Sequence, residues 1–261
     1  MTKINIAFGA TEEWLRYTYV TICSILANAK EDDYYKFYIM CDTEDINFGP
    51  MVKCLDQIKK SEYKFIKMNN SDFDGAIHDW LGVSSSYRLK LPSITDEDKI
   101  LYLDSDISVV NDIAELYNHN IDDYYLAAVE DKGAHFMRER VNLKEGETFI
   151  NGGVQLMNLK KFREDNLEEI IFDKLRASDF YTDQDVINDV CREKILQLPL
   201  RFNLMPLDNE EIYKNRREEF LEAMENPVVL HYTNKPWKTQ VKYGEYWFMY
   251  ADLLAQILNS L

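Results

Sequence analysis

The chain opens on a run of alternating and continuous apolar positions that reads as strand, helix, strand. Lys3-Ile-Asn-Ile-Ala-Phe8 predicts a strand ending at Gly9. From Thr11 to Ala27 the apolar residues Trp14, Tyr17, Val20, Ile22, Ile25 and Leu26 recur at roughly helical spacing, and Thr11 ahead of Glu12 and Glu13 suits an N-cap. Tyr35–Cys41 and Tyr63–Met68 predict further strands, with a helix over Met51–Ile58 between them. Such alternation argues for a parallel sheet with helices on its faces.

Lys99-Ile-Leu-Tyr-Leu103 is short and apolar throughout, as expected of a central strand buried on both faces. It runs directly into Asp104-Ser105-Asp106. Phe149–Asn158 predicts another strand, followed by one helix over Leu159–Arg176. A helix near Gln184–Val190, a strand at Pro227–His231 and an aromatic-rich helix from Tyr243 to the end complete the reading. The sequence shows no repeat and no low-complexity tract.

Composition narrows the function classes. The 261 residues are 46% hydrophobic, with 17 Tyr and 13 Phe available for a core and only 9 Gly and 6 Pro. The formal net charge is −16, which argues against a nucleic-acid surface, since such surfaces neutralise phosphates with Lys and Arg. It would also repel an anionic cosubstrate unless a bound cation or local basic residues intervened. Cys23, Cys41, Cys54 and Cys191 show no metal-ligand spacing and read as buried free thiols. Without an N-terminal apolar leader or any apolar run of 18 residues, the expectation is a cytoplasmic protein with no membrane span.

Four Asp-x-Asp triplets occur: Asp72/Asp74, Asp96/Asp98, Asp104/Asp106 and Asp183/Asp185. In an acidic chain most such triplets are solvated turns. Asp104/Asp106 differs because it follows buried residues at a strand's carboxyl end, where open α/β sheets bind ligands. Two carboxylates there repel each other unless a cation lies between them. His231, after the apolar Val228-Val-Leu230, also falls at a strand end; an imidazole beside two carboxylates favours Mn²⁺ over Mg²⁺ or Ca²⁺. His78, His119 and His135 read as ordinary surface or loop residues.

Taken in order, these segments resemble glycosyltransferase family 8, the retaining GT-A enzymes that include bacterial lipopolysaccharide galactosyl- and glucosyltransferases and glycogenin. The resemblance runs through Tyr87-Arg-Leu-Lys-Leu91, Leu101-Tyr-Leu-Asp-Ser-Asp106, Phe149-Ile-Asn-Gly-Gly-Val154 with Met157–Phe162, Thr182-Asp-Gln-Asp185, Arg201-Phe-Asn203 and His231–Trp237. With the first strand it spans residues 4 to 237. It implies one GT-A type α/β domain over residues 1–261, a Rossmann-like mixed sheet flanked by helices on both faces. The helix of about 243–261 would pack on that body rather than rest on a membrane, because no Lys or Arg follows Lys242.

The resemblance also implies roles. Asp104, Asp106 and His231 would hold Mn²⁺, or Mg²⁺, across the diphosphate of a UDP-hexose, with glucose and galactose both open as the sugar. Phe8, Gly9, Ala10, Thr11, Asp104, Ser105, Asn234 and Lys235 would bind the nucleotide, Lys235 reaching the phosphates. Arg88, Asp131, Asn151, Gly152, Asp183 and Gln184 would surround the donor sugar, with Gln184 and Asp183 as the catalytic pair. The other partner would be a glycan or other acceptor.

Two departures stand out. Thr11-Glu12-Glu13 occupies the place where many members carry an Asp for the uracil ring. Asn234 stands in a Gly place, in a shortened loop, where a left-handed backbone is expected. Thr182–Asp185 equally reads as a helix start, Gly152 and Gly153 as close strand packing, and Trp237 as core. A sugar nucleotidyltransferase would want a basic Gly-rich loop where Gly9–Glu13 is acidic, and a degenerate UDP- or glycan-binding protein draws only on the two departures.

Overall fold

The computed structural model describes residues 3–43, 47–77, 82–133, 135–144, 146–206 and 210–261; His78 lies outside them. Nine strands are described: β1 (Lys3–Ala10), β2 (Tyr34–Cys41), β3 (Glu62–Lys67), β4 (Lys99–Leu103), β5 (Ile107–Val109), β6 (Leu126–Glu130), β7 (Ile150–Asn158), β8 (Ile195–Gln197) and β9 (Val229–His231). Seven form one sheet in the order β3-β2-β1-β4-β7-β6-β8, and β5 pairs with β9 apart from it. The sheet is mixed. β1, β2, β3 and β4 run parallel, while β7 is antiparallel to both β4 and β6.

Its faces carry separate apolar layers because side chains alternate along each strand. In β4, Leu101 and Leu103 join one layer and Ile100 and Tyr102 the other, all four fully buried. Against the first layer lie α1 (Leu15–Ala27) and α2 (Gly49–Ile58). The short helices α3 (Leu91–Ile94), α4 (Ala114–Tyr117) and α5 (His135–Arg140) follow in the chain. The second layer is covered by α6 (Leu159–Glu164), α7 (Leu167–Arg176) and α8 (Asp183–Cys191). After α9 (Arg217–Glu225), the last helix α10 (Gly244–Ser260) buries Trp247, Tyr250 and Leu254 against the α1–α2 side. There Asn28 Nδ2 donates to Tyr250 Oη at 2.7 Å. No helix among the described residues is long and apolar enough to cross a membrane.

The structure corrects the sequence reading in three places. The helix expected from Leu159 to Arg176 is two helices, broken where Asn166 turns left-handed at φ 54°, a conformation Asn reaches more readily than most residues. The helix expected from Thr11 starts at Leu15, after a 3-10 turn over Glu12–Trp14; the Thr11 side chain makes no capping bond, and its carbonyl takes the Trp14 and Leu15 amides instead. Asn234 does not adopt a left-handed backbone.

All four cysteines are free and buried. Burial raises each thiol, Cys23 to about 12 and Cys41 to about 11, so at pH 8 all four stay protonated. The folded chain is expected to react with no equivalent of a thiol-disulfide reagent at pH 8, and with four in denaturant. One fast equivalent under native conditions contradicts this packing.

Candidate functional site

At the carboxyl end of β4 the chain leaves the large sheet and enters β5 through Asp104-Ser105-Asp106. The antiparallel pairing of β5 with β9 sets Ile107 opposite His231, and the Tyr232 amide donates to the Asp106 carbonyl at 2.9 Å. That ladder carries the imidazole to the two carboxylates. One ligand atom from each of Asp104, Asp106 and His231 lies within 4.8 Å of the others. The remaining Asp-x-Asp carboxylates of the sequence do not join them: Asp72, Asp74, Asp96 and Asp98 are exposed. Asp185 closes a capping box with Thr182 at the start of α8.

The donor set fits a divalent cation. His231 Nδ1 faces Asn203 Oδ1 at 3.0 Å, and Nε2 points to Asp106 Oδ1 at 3.4 Å and Asp104 Oδ2 at 3.9 Å. Burial works against every charge here. Asp104 is raised by burial, which outweighs Arg88, and by the neighbouring Asp106 charge. Burial acts the same way on Asp106, yet His231 and Lys235 hold its carboxyl well below the usual range. Burial would lower His231, and Asp106 then Asp104 bring it above its ordinary value. Two oxygens and one nitrogen so arranged suit a divalent metal ion.

The neighbouring strand β7 is shaped around this cluster. A Cβ on Gly153 would stand 2.3 Å from His231 Cε1 and 2.7 Å from Asp104 Oδ2, so only glycine fits. The Gly153 carbonyl accepts from the Asp104 amide at 2.9 Å. Beside it, Gly152 backs onto Arg88, with guanidinium atoms 2.8 Å from where a Cβ would stand.

Arg88 sits on a 3-10 segment, Val83–Lys90, and is 3% exposed. Its guanidinium pairs with Asp183, donates to the Gly152 carbonyl at 2.5 Å, and stacks 4.9 Å above the Tyr102 ring. It is also 3.8 Å from Asp104 Oδ1. Gln184 follows Asp183 on the first turn of α8; it accepts from the Gly152 amide at 2.8 Å and donates to Asp131 Oδ2 at 3.2 Å. Asn151 Nδ2 reaches the same Asp131 oxygen at 3.1 Å. Asp131, Asn151, Gly152, Asp183, Gln184 and Arg88 therefore form one connected wall beside the Asp104–Asp106–His231 cluster.

The residues named for nucleotide binding divide. Lys235 Nζ pairs with Asp106 and donates to the Tyr232 carbonyl at 3.0 Å, within reach of the cluster. Phe8 and Ala10 are fully buried core residues. Gly9 is closed on its Cα by the chain itself, since a Cβ there would meet the Ser84 carbonyl at 2.3 Å. The Ser105 hydroxyl turns inward to Thr18 Oγ1 at 2.7 Å. Thr11 is partly exposed at the end of β1, and Asn234 is exposed.

Two residues in the site had no role in the sequence reading. Asn203 bridges His231 and Asn151, and the Trp14 ring lies 5.9 Å from Lys235 Nζ. Asn203 could have been singled out from Arg201-Phe-Asn203, a segment noticed without a function. In the sequence Trp14 stands only in a helical apolar stripe.

Comparison with known proteins bears on the family and the fold. A family model described as Glycosyl transferase family 8 matches residues 5–240. A putative glycosyltransferase of Haemophilus influenzae is 29% identical over 250 residues, covering 90% of this chain and 73% of that one. A lipopolysaccharide 1,2-glucosyltransferase of Escherichia coli is 26% identical over 273 residues, covering 98% and 78%. Among solved structures, the galactosyltransferase LgtC in complex with donor and acceptor sugar analogs superposes with a TM-score of 0.77 at 25% identity, covering 100% of this chain and 96% of that one. The mixed seven-stranded sheet with flanking helices is the GT-A fold of that protein.

Proposed function

Because the chain belongs to glycosyl transferase family 8 and is a sugar transferase, we propose that it moves a hexose, glucose or galactose, from a UDP-sugar to a carbohydrate acceptor with retention at the anomeric carbon. The 261 residues are read as one transferase domain. The observation that carries this reading is the Asp104–Asp106–His231 cluster at the carboxyl end of β4, with Asp106 and His231 buried and Asp104 half-buried, beside the connected polar wall.

In this reading Asp104, Asp106 and His231 hold Mn²⁺ or Mg²⁺. The ion supplies positive charge where the diphosphate gathers negative charge as the sugar departs. Lys235, already on Asp106, adds a second positive group on the same side and turns to the phosphates. Asp131, Asn151 and Gln184 orient the donor-sugar hydroxyls and hold the ring against Gly152. Nucleotide contacts fall to Thr11, Asn234 and the backbone around Gly9 and Ser105, whose side chains or Cα hydrogens are otherwise committed.

Retention without a covalent sugar is supported by how the two candidate nucleophiles are used. Asp183 is buried in its pair with Arg88, and Gln184 Oε1 already accepts from the Gly152 amide. The one carboxylate is charge-paired through Oδ2, and the other group is an amide, a weak nucleophile. A front-face route, with the departing phosphate taking the acceptor's proton, fits such a wall.

The test is UDP release from a panel of UDP-sugars, with Mn²⁺ and with chelator, by the intact chain and by Asp106→Asn. Slow hydrolysis of one donor is expected, lost to background in chelator and in the variant. If every donor stays intact while UDP binds equally with and without chelator, the chain is a binding protein and the cation assignment is wrong.

A further inference from the structure

A line of hydrogen bonds leads from the cation cluster to the opposite end of the sugar wall. Its polarity can be read from one end. The Gly153 backbone amide, which can only donate, gives its hydrogen to Asn151 Oδ1 at 2.9 Å. Asn151 therefore turns its nitrogen the other way, to Asp131 Oδ2 at 3.1 Å. The same Asn151 Oδ1 accepts a second hydrogen, from Asn203 Nδ2 at 2.9 Å. That contact fixes the orientation of the Asn203 amide and leaves its Oδ1 facing His231 Nδ1 at 3.0 Å. An oxygen there can only accept, so Nδ1 carries a proton and Nε2 is the nitrogen left for a cation. All members of the line from Gly153 to His231 are buried, with Asn203 1% exposed, so water does not substitute for any of them.

We infer that Asn203 is a positioning residue with two separable duties. Its Oδ1 locks His231 as an Nε2 ligand, and its Nδ2 holds Asn151, and through it Asp131 and Gln184, in the orientation that receives the donor sugar. Imidazole ligands elsewhere depend on such a partner on the second nitrogen, and losing it weakens metal binding by about 10- to 100-fold. The inference rests on the cation reading above. It goes further in joining the cation and the sugar wall through one side chain.

Replacements at Asn203 separate the two duties. Asn203→Leu removes both bonds. Asn203→Asp keeps an oxygen for the Nδ1 hydrogen and sets a second oxygen against Asn151 Oδ1, where a donor is required. Mn²⁺ is titrated into the full chain without donor, free Mn²⁺ is followed by electron paramagnetic resonance, and donor hydrolysis is measured at saturating Mn²⁺. Asn203→Leu is expected to bind Mn²⁺ at least about tenfold more weakly, and Asn203→Asp within about threefold of the wild type. The aspartate variant nonetheless loses at least about tenfold in donor hydrolysis, because the sugar wall is misoriented.

Wild-type affinity in the leucine variant, or an equal loss of Mn²⁺ in both variants, overturns the inference. A wild-type chain that binds no Mn²⁺ overturns the cation reading itself and the inference with it. Should the leucine variant fail to fold, nitrogen-15 spectra of the wild-type histidines in Mg²⁺ decide. The signal lost in His231→Gln must show the proton on Nδ1, and a proton on Nε2 overturns the assignment.

Discussion

Gly153→Ala is expected to lower donor turnover by at least about 100-fold while leaving the chain folded, since displacements near 1 Å in a reacting site cost that much. The added methyl would stand 2.3 Å from His231 Cε1 and 2.7 Å from Asp104 Oδ2. The backbone has little freedom to retreat. Residue 153 lies in β7, between β4 and β6, with its carbonyl bound to the Asp104 amide and its own amide bound to Asn151. The imidazole must therefore move, which spreads the three ligand atoms apart. Overpacking of this kind costs about 1–3 kcal/mol, less than most domains can lose before unfolding. Circular dichroism, Mn²⁺ titration and donor hydrolysis on one preparation check it. A folded alanine variant with wild-type Mn²⁺ affinity means the glycine is not what shapes the cluster.

The second large effect concerns Arg88. Replacing it with methionine strands the buried Asp183 carboxylate and leaves the Gly152 carbonyl without its donor. Removing one member of a buried ion pair typically costs about 3–5 kcal/mol. Arg88→Met is expected to lose that much in a denaturant titration, together with donor turnover. Adding Asp183→Leu removes the stranded charge and restores most of the stability but none of the turnover. The pair is thus a brace that aims Gln184 and Gly152. A single Arg88→Met variant within about 1 kcal/mol of the wild type rules out a closed, dry pair at this position.

Much of this was legible in the sequence wherever a pattern was both long and local. Lys99–Leu103 reads as a strand buried on both faces because all its residues but the first are apolar, and Asp104/Asp106 stand out from the other triplets by following it. The mixed sheet, and the meeting of the two carboxylates with His231, came from the resemblance rather than from periodicity. Strands β5 and β8 are three residues each, too short for any period, and β6 contains Ala127 and Ala128, which have little strand preference of their own; β9 is as short but shows in the continuous apolar run before His231. The break at Asn166 was hidden by apolar residues that keep helical spacing on both sides of it. Arg88 reads as a sugar contact, yet its burial against Tyr102 depends on how the 3-10 segment packs on the sheet, which no local signal encodes.

The pairing of β5 with β9 also bears on synthesis. Asp104 and Asp106 leave the ribosome more than a hundred residues before His231, and at about 5–20 residues per second that interval is roughly ten seconds. During it the growing chain has the parallel strands and both carboxylates but not the imidazole, and the β5 edge has no partner. A nascent or truncated product therefore brings no third side chain to Asp104 and Asp106 until β9 has been translated.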